Sequence, residues 1–106
     1  MDLSSEHIKQ LIEKFDSYKT SNVGFFSEEE IEVLREHYMD QSLFEDALYI
    51  LKYAIETYPF SFGFKIDKAE VYLMYGKEDQ ALRIIEEIEF VEPYNTEALF
   101  MKASIL

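Results

Sequence analysis

The sequence contains no cysteine and no tryptophan, and it has only two prolines and three glycines. Without cysteine there is no disulfide framework, no thiol nucleophile and no thiolate metal site. β-Sandwiches and barrels need many turn-forming residues, so the scarcity of glycine and proline favours a helical protein. Hydrophobic residues nevertheless make up 48% of the chain, including nine Phe and eight Tyr, which is enough apolar surface to build a folded core.

Basic residues are also scarce, since Lys and Arg number 10 against 22 Asp and Glu and the net charge is −12. Such a surface repels nucleic acid and anionic lipid, so neither is expected as a partner. It either attracts a basic partner or simply keeps the protein soluble. No apolar run approaches the roughly 20 residues that cross a bilayer, and the N-terminus lacks the basic flank of a signal peptide. The sequence therefore predicts a cytoplasmic protein that does not span a membrane.

Apolar residues recur at three- and four-residue steps in several segments, which predicts an all-α fold of about six helices. The first helix is expected from about Ser5 to Tyr18, with Ile8, Leu11 and Phe15 on one face. The stretch 19–26 breaks this pattern and contains small and polar residues, so it is interpreted as a connector.

Capping signals predict where the next two helices begin. Ser27 followed by Glu30 forms a capping box, in which each side chain satisfies a backbone N–H of the other residue. Ser42 and Glu45 repeat the same spacing. The second and third helices are therefore expected to begin just after Ser27 and near Ser42.

Prolines, glycine and further caps delimit the remaining helices. Pro59 ends the third helix, Ser61 is expected to cap the fourth, and Gly76 ends the fourth. A fifth helix spans roughly residues 78–90 and stops before Pro93. Asn95 is expected to cap a sixth helix that continues to the end of the sequence.

The third and fifth helices share one pattern with a 34-residue period, called the repeat period below. The matched pairs in these helices are Ala47 and Ala81, Leu48 and Leu82, Ile50 and Ile84, Leu51 and Ile85, and Pro59 and Pro93. The same step relates Tyr38 to Tyr72, Phe60 to Tyr94, Ser61 to Asn95, and Ala69 to Ala103. A fixed period of this length is typical of a helical repeat protein.

On these residues the chain resembles the tetratricopeptide repeat (TPR) family, whose unit is an antiparallel helix pair closed by a proline. Ala47, Leu51, Ala54 and Pro59 follow the family's order of small, large and small residues before the terminal proline. The next unit keeps this order except for Ile88. The first helices of the units match less well, because they carry Arg35, Lys65 and Lys68 where the family has small, aromatic and leucine side chains.

The resemblance implies an α-solenoid of antiparallel helix pairs that winds into a right-handed superhelix. Residues 1–26 would form an N-terminal capping helix and connector, and 27–106 would form the repeats. Complete units are expected at about 28–61 and 62–95, with a partial third unit at 96–106. Because at least about three such units are normally needed for a stable solenoid, the chain is interpreted as a fragment of a longer array.

The sequence offers no catalytic constellation. Its two histidines, His7 and His37, lie in no HExxH pattern and at no four-residue step from another histidine, which argues against a metal site. The acidic runs lie on predicted helices, where solvated faces are the simpler interpretation, and no glycine-rich loop or nucleophile elbow is present. The chain is therefore predicted not to be an enzyme and to need no cofactor or metal.

In the family that the chain resembles, the first helices line a concave groove that holds a peptide or a partner helix. The resemblance implies the following groove residues: Glu29, Glu32, Glu36, Met39 and Asp40 in the first unit, and Ile66, Glu70, Leu73 and Met74 in the second. We hypothesise a protein-interaction scaffold that binds a basic-apolar segment, with methionines adapting to apolar side chains and glutamates binding Lys or Arg. The basic clamp of family members that bind chaperone tails is absent.

Three alternatives remain open at this stage. The groove could pack only against further repeats or a neighbouring domain, or the chain could be the regulatory or sensing arm of a larger multidomain protein. A symmetric homodimer through the C-terminal helix is the third, because that helix presents several apolar residues to no following partner, namely Leu99, Phe100, Met101, Ile105 and Leu106.

Overall fold

The computed structural model describes residues 5–105, which form six α-helices and contain no β-strand. The helices are α1 (Ser5–Ser21), α2 (Glu28–Asp40), α3 (Phe44–Thr57), α4 (Phe62–Met74), α5 (Glu78–Val91) and α6 (Thr96–Ile105). The predicted all-α fold with about six helices is thereby confirmed. Within the described residues, no helix is long and apolar enough to cross a membrane. Leu106, one of the apolar residues predicted on α6, lies outside the described range.

The chain divides into two compact units, and the boundary falls between Ile50 and Leu51, within α3. The first unit contains α1, α2 and the beginning of α3, and the second contains the rest of α3 with α4, α5 and α6. The sequence pattern predicts boundaries at 26/27 and 61/62, where a repeat unit begins. The boundary between the two compact units lies at neither position.

An aromatic cluster around Phe15 of α1 forms the core of the first unit. Phe15 is completely buried, and its ring lies 5.9 Å from Phe26, 5.8 Å from Tyr38 and 5.6 Å from Tyr49. The Phe26 and Tyr49 rings meet Phe15 edge-on, the arrangement that the ring quadrupoles favour. One side chain of α1 thus contacts the connector, α2 and α3.

The predicted capping box at the start of α2 is confirmed. The Ser27 backbone N–H donates to Glu30 Oε1 at 2.9 Å, and the Glu30 backbone N–H donates to Ser27 Oγ at 3.2 Å. Phe26 and Ile31, on either side of the cap, are both completely buried. Lys14 of α1 also forms an ion pair with Glu30 at 3.4 Å. The start of α2 is therefore fixed both locally and by α1.

α3 begins at Phe44, near the predicted start, but Ser42 does not cap it. Ser42 has a φ of 56°, in the left-handed region, whereas a capping residue is extended. Its backbone N–H donates to the Met39 carbonyl at 3.0 Å, and the N–H of Leu43 donates to the Tyr38 carbonyl at 2.8 Å. This pair of bonds is a Schellman motif, so Ser42 ends α2 rather than beginning α3.

The end of α4 has the same motif, one repeat period further along the chain. Gly76, with φ of 78°, donates to the Leu73 carbonyl at 3.2 Å, and Lys77 donates to the Tyr72 carbonyl at 2.8 Å. Glycine is the usual residue in this conformation because it has no Cβ. Gly76 ends α4 as predicted. Ser42 is therefore the structural equivalent of Gly76.

The helix boundaries repeat at the interval found in the sequence. α2 and α4 both contain 13 residues, and α3 and α5 both contain 14 residues. α2 and α4 begin one repeat period apart, as do α3 and α5, and α6 begins one period after α4. The inner faces of α3 and α5 match as well, because both present completely buried residues, namely Ala47, Leu51 and Ala54 in α3 and Ala81, Ile85 and Ile88 in α5. The repeat thus extends from residue types to helix ends and buried faces.

The second unit is built around α5, which packs against both α4 and α6. Its core joins Ile66 and Ala69 of α4, Ile85 and Ile88 of α5, and Ala98 of α6. Because only Tyr75, Gly76 and Lys77 connect α4 to α5, α5 must fold back along α4. Four partly buried residues pack around this core, namely Phe62, Ile84, Met101 and Ile105.

The two other predicted caps have different outcomes. The Asn95 side chain accepts a hydrogen bond from the Ala98 backbone N–H at 3.0 Å, so Asn95 caps α6 as predicted. Ser61 stands at the N-cap of α4, but its side chain makes no capping hydrogen bond among the described residues. Its ψ of 96° departs from the 165° of Ser27, which does cap its helix.

Exchanging the two turn residues tests the cost of the left-handed conformation. We expect Ser42→Gly to raise the free energy of unfolding by about 1 kcal/mol, because this conformation disfavours any residue with a Cβ. Gly76→Ser should lower it by a similar amount through the backbone alone, since a Cβ on Gly76 would meet no atom within 4 Å. Urea unfolding followed by circular dichroism measures both changes. Destabilisation by Ser42→Gly would show instead that the serine side chain stabilises the turn.

A second prediction concerns Glu30 and pH. Partial burial alone would raise the pKa of Glu30, but the Ser27 backbone N–H and Lys14 outweigh this effect and hold the pKa below its ordinary value of 4.5. A depressed pKa stabilises the fold above pH 4.5, and the stabilisation is lost as the pH falls through the lower folded value. We expect wild type to be more stable than Glu30→Gln at pH 7, with the difference shrinking as the pH falls below 4.5. Urea unfolding at pH 7 and at a series of pH values below 4.5 measures it, and a constant difference would contradict this linkage.

Candidate functional site

A cleft of about 290 Å³ lies between α4 and α6 in the second unit. Its lining residues come only from these two helices and are Ile66, Glu70, Thr96, Glu97, Phe100 and Met101. Ile66 is only 6% exposed, whereas Phe100 is 78% exposed. The cleft therefore combines a nearly buried aliphatic residue with an aromatic ring that is largely open to solvent.

The repeat explains why these residues meet. Phe100 of α6 follows Ile66 of α4 by one repeat period, so the two occupy equivalent sites on equivalent helices. α5 folds back along α4 and then packs against α6, which brings α6 next to α4. The cleft is thus the space between two successive first helices of the repeat.

The polar side chains of the cleft give it a negative rim. Glu70 and Glu97 are both exposed, and within residues 5–105 neither carboxylate has an ion-pair partner. Lys102 on α6 is already paired with Glu89 of α5 at 3.1 Å. Two carboxylates without a cation beside an apolar floor are suited to a ligand that carries both a positive charge and an apolar group.

The structure separates the four groove residues that the sequence predicts on α4, in the second repeat unit. Ile66 and Glu70 line the cleft, but Leu73 and Met74 do not. Leu73 is half-buried near the C-terminal end of α4, and Met74 is 59% exposed. Sequence reasoning missed the contribution of α6, which supplies Thr96, Glu97, Phe100 and Met101. One sequence signal could have indicated this contribution, because Phe100 follows the predicted groove residue Ile66 by one repeat period.

The five groove residues predicted in the first repeat unit lie on α2 or at its end. Glu29, Glu36 and Asp40 are exposed, while Glu32 and Met39 are partly buried. Arg35 contacts two of these acids, with Nη2 at 2.9 Å from Glu32 and 4.0 Å from Glu36. Because the chain's own cation satisfies these carboxylates, they attract a basic ligand less than Glu70 and Glu97 do.

A second cleft, of about 310 Å³, lies in the first unit between α1 and His37 of α2. Its lining residues are Ser5, Ile8, Lys9, Ile12, Glu13 and His37. Lys9 and Glu13 bring opposite charges to the same cleft, so it has no preference for the sign of a ligand's charge. Within residues 5–105 no group of three His, Asp or Glu side chains is placed to hold a metal ion.

A partly buried charged cluster in the first unit joins α1 to α3. Lys19 Nζ lies 2.8 Å from Asp46 Oδ1 and 3.3 Å from Asp16 Oδ1, and it stands 5.1 Å from the centroid of the Phe15 ring. Partial burial alone would lower the pKa of Lys19, but the two carboxylates outweigh it and raise the pKa above 10.5. The arrangement holds the Lys19 cation in place between α1 and α3.

Tyr38 lies beside this cluster and is 3% exposed. Its hydroxyl has no hydrogen-bond partner among the described residues. Burial, followed by the charges of Asp46 and Asp16, raises the pKa of this hydroxyl well above its ordinary value. The phenol is therefore neutral and belongs to the aromatic core.

Comparison with known proteins gives no match to a protein-family model, to a curated protein or to a solved structure.

Removal of the Tyr38 hydroxyl tests its structural role. We expect Tyr38→Phe to leave the free energy of unfolding unchanged or to raise it by about 1 kcal/mol, because a buried hydroxyl without a partner is costly. Tyr72→Phe, at the half-buried equivalent site, should change stability by less than about 0.5 kcal/mol and serves as the control. Thermal and urea unfolding measure both variants. A loss above about 1 kcal/mol for Tyr38→Phe would show that the hydroxyl is bonded in solution.

Proposed function

We propose that this chain is a protein-binding module and that the cleft between α4 and α6 binds a basic-apolar segment of a partner protein. One observation carries the proposal: an apolar cleft of about 290 Å³ is bordered by Glu70 and Glu97, which have no ion-pair partner within the described residues. In this proposal the module is a TPR-like α-solenoid that serves as a scaffold and performs no catalysis of its own.

The internal repeat supports the proposed architecture. Equivalent helices begin one repeat period apart, and the Schellman motif that ends α2 recurs at the end of α4 at the same interval. Helical repeat proteins of this period stack their units and use the surface of successive first helices to bind peptides or helices. α4 and α6 are such first helices, and the cleft lies between them.

The contacts in the cleft indicate which part of a ligand supplies affinity. An aliphatic side chain that buries about 100 Å² of apolar surface against Ile66 and Phe100 gains roughly 2.5 kcal/mol. An exposed pair between a lysine and Glu70 or Glu97 adds only about 0.2–1 kcal/mol. The apolar contact is therefore the main source of affinity, whereas the glutamates select the sign of the charge and speed the encounter.

The surface of the first unit plays a secondary part in this proposal. Glu29 and Asp40 are exposed and add to the negative field that attracts a basic segment. Glu32 and Glu36 contribute less because Arg35 compensates their charge. Of the acidic groove predicted from the sequence, the part in the second unit is therefore proposed to bind the basic segment most strongly.

Peptide binding with matched variants tests the proposal. The probe is a fluorescently labelled peptide with two leucines flanked by lysines, and the control peptide replaces each lysine by glutamate. We expect Glu70→Gln combined with Glu97→Gln to weaken binding about three- to tenfold at low salt, and Phe100→Ala to weaken it about tenfold. The matched control is Glu86→Gln with Glu87→Gln, two exposed acids on α5 outside the cleft.

Fluorescence anisotropy at two salt concentrations measures these affinities. The glutamate variants should also reduce the salt dependence, because they remove the charges that salt screens. Equal losses for the cleft variant and the α5 control would indicate attraction to the overall negative charge, and would contradict a specific site. Absence of binding to the lysine-leucine peptide would contradict the proposed ligand class.

A further inference from the structure

The ammonium group of Lys19 is held by an aromatic ring together with two carboxylates. Its Nζ lies 5.1 Å from the centroid of the Phe15 ring, 3.3 Å from Asp16 on the same helix and 2.8 Å from Asp46 on α3. The negative face of an aromatic ring attracts a cation within about 6 Å of its centroid. Ring and carboxylates therefore act on one ammonium group from different directions.

Lys14 of α1 is held by the same combination of groups. Its Nζ lies 4.5 Å from the centroid of the Phe26 ring and 3.4 Å from Glu30 Oε2. Phe26 belongs to the connector and Glu30 to α2, so three segments of the chain meet at this cation. A lysine held between a phenylalanine ring and a carboxylate thus occurs twice in the first unit.

The cleft between α4 and α6 contains the same receiving groups in the second unit. Glu70 of α4 and Glu97 of α6 bring carboxylates from the two walls, and Phe100 of α6 brings a ring that is 78% exposed. Glu97 lies three residues before Phe100, on the same side of the helix. The described lining residues include no lysine or arginine, so the cation must come from a ligand.

The size of the cleft indicates how much of a ligand enters it. Its volume of about 290 Å³ is at the lower end of the range of about 300–1,000 Å³ found for small-molecule sites. One long side chain fits such a volume better than a helix does. Ile66, which is 6% exposed, and the partly buried Met101 provide an apolar surface for the stem of that side chain.

The placement of the two carboxylates on opposite walls favours lysine over arginine. An ammonium group has three donors that point in different directions, whereas a guanidinium is a planar fork suited to side-on pairing with one carboxylate. Lys19 already pairs with Asp16 and Asp46 on two different helices. The four-carbon stem of lysine also covers apolar surface while its charged end stays at the rim.

We propose that the cleft binds one lysine side chain of the partner, with its stem on Ile66 and Met101 and its ammonium against the Phe100 ring and the carboxylates of Glu70 and Glu97. This inference rests on the proposed function. It narrows the basic-apolar segment to one residue that supplies the charge and part of the apolar contact. Phe100 then acts on the ligand through the negative face of its ring as well as through its apolar surface.

The experiment compares three peptides that differ at one position and uses the full chain. Each peptide is acetylated, amidated and otherwise neutral, and it carries lysine, norleucine or arginine between two leucines. Norleucine keeps the apolar stem of lysine and removes its charge. Phe100→Leu keeps an apolar side chain and removes the ring. The matched control is Phe90→Leu, which alters a ring on α5 that is 90% exposed and does not line the cleft.

We expect wild type to bind the lysine peptide about fivefold more tightly than the norleucine peptide. Phe100→Leu should weaken binding of the lysine peptide about two- to fivefold and that of the norleucine peptide less than twofold. Phe90→Leu should change neither, and circular dichroism checks that both variants fold. Fluorescence anisotropy measures the affinities. In NMR spectra the ε-methylene protons of the bound lysine should shift upfield, because they lie over the ring, and Phe100→Leu should abolish this shift.

Three outcomes would contradict the inference, and they separate it from the proposed function. Equal weakening of the lysine and norleucine peptides by Phe100→Leu would show that the ring supplies only apolar contact, and would leave the proposed function intact. Tighter binding of the arginine peptide than of the lysine peptide would overturn the assignment to lysine alone. Failure of all three peptides to bind, or no effect of Glu70→Gln combined with Glu97→Gln on the lysine peptide, would contradict the proposed function together with this inference.

Discussion

The left-handed backbone conformation of Ser42 and Gly76 is the constraint on which the helix pairs depend. At each residue the preceding helix ends in a Schellman motif, and the next helix begins two residues later, at Phe44 or Glu78. After Gly76, so short a connection makes α5 fold back along α4. In the second unit, the buried cluster of α4, α5 and α6 and the cleft beside it follow from that reversal.

Different residues bury α2 in the first unit and α4 in the second unit. In α4 a completely buried Ala69 allows α5 to pack closely. The equivalent residue of α2 is Arg35, which remains partly exposed and pairs with Glu32. The first unit instead derives much of its core from Phe15 of α1, which has no counterpart in the repeat. Helix α1, through Phe15, thus stabilises the first unit, whose repeat pattern is less regular.

For the proposed function, the arrangement of charge matters more than its total. With a net charge of −12 the chain attracts many cations weakly, and this alone gives no selectivity. Arg35 compensates Glu32 and Glu36, whereas Glu70 and Glu97 border an apolar cleft without an ion-pair partner in residues 5–105. Selectivity requires charge and apolar contact at one place, because each alone contributes only a small or non-directional free energy.

The sequence by itself determined the helical class, the repeat period, the capping box at Ser27 and most helix ends, because these depend on local spacing and backbone chemistry. It misassigned Ser42, since serine is common at helix starts and its left-handed conformation here belongs to the end of α2. The tertiary structure alone decided that Glu70 and Ile66 line one cleft with Phe100, whereas Leu73 and Met74 stay outside it. It also decided which glutamates pair with Arg35. Such outcomes depend on how helices distant in sequence pack against one another, and periodicity within one helix does not encode that packing.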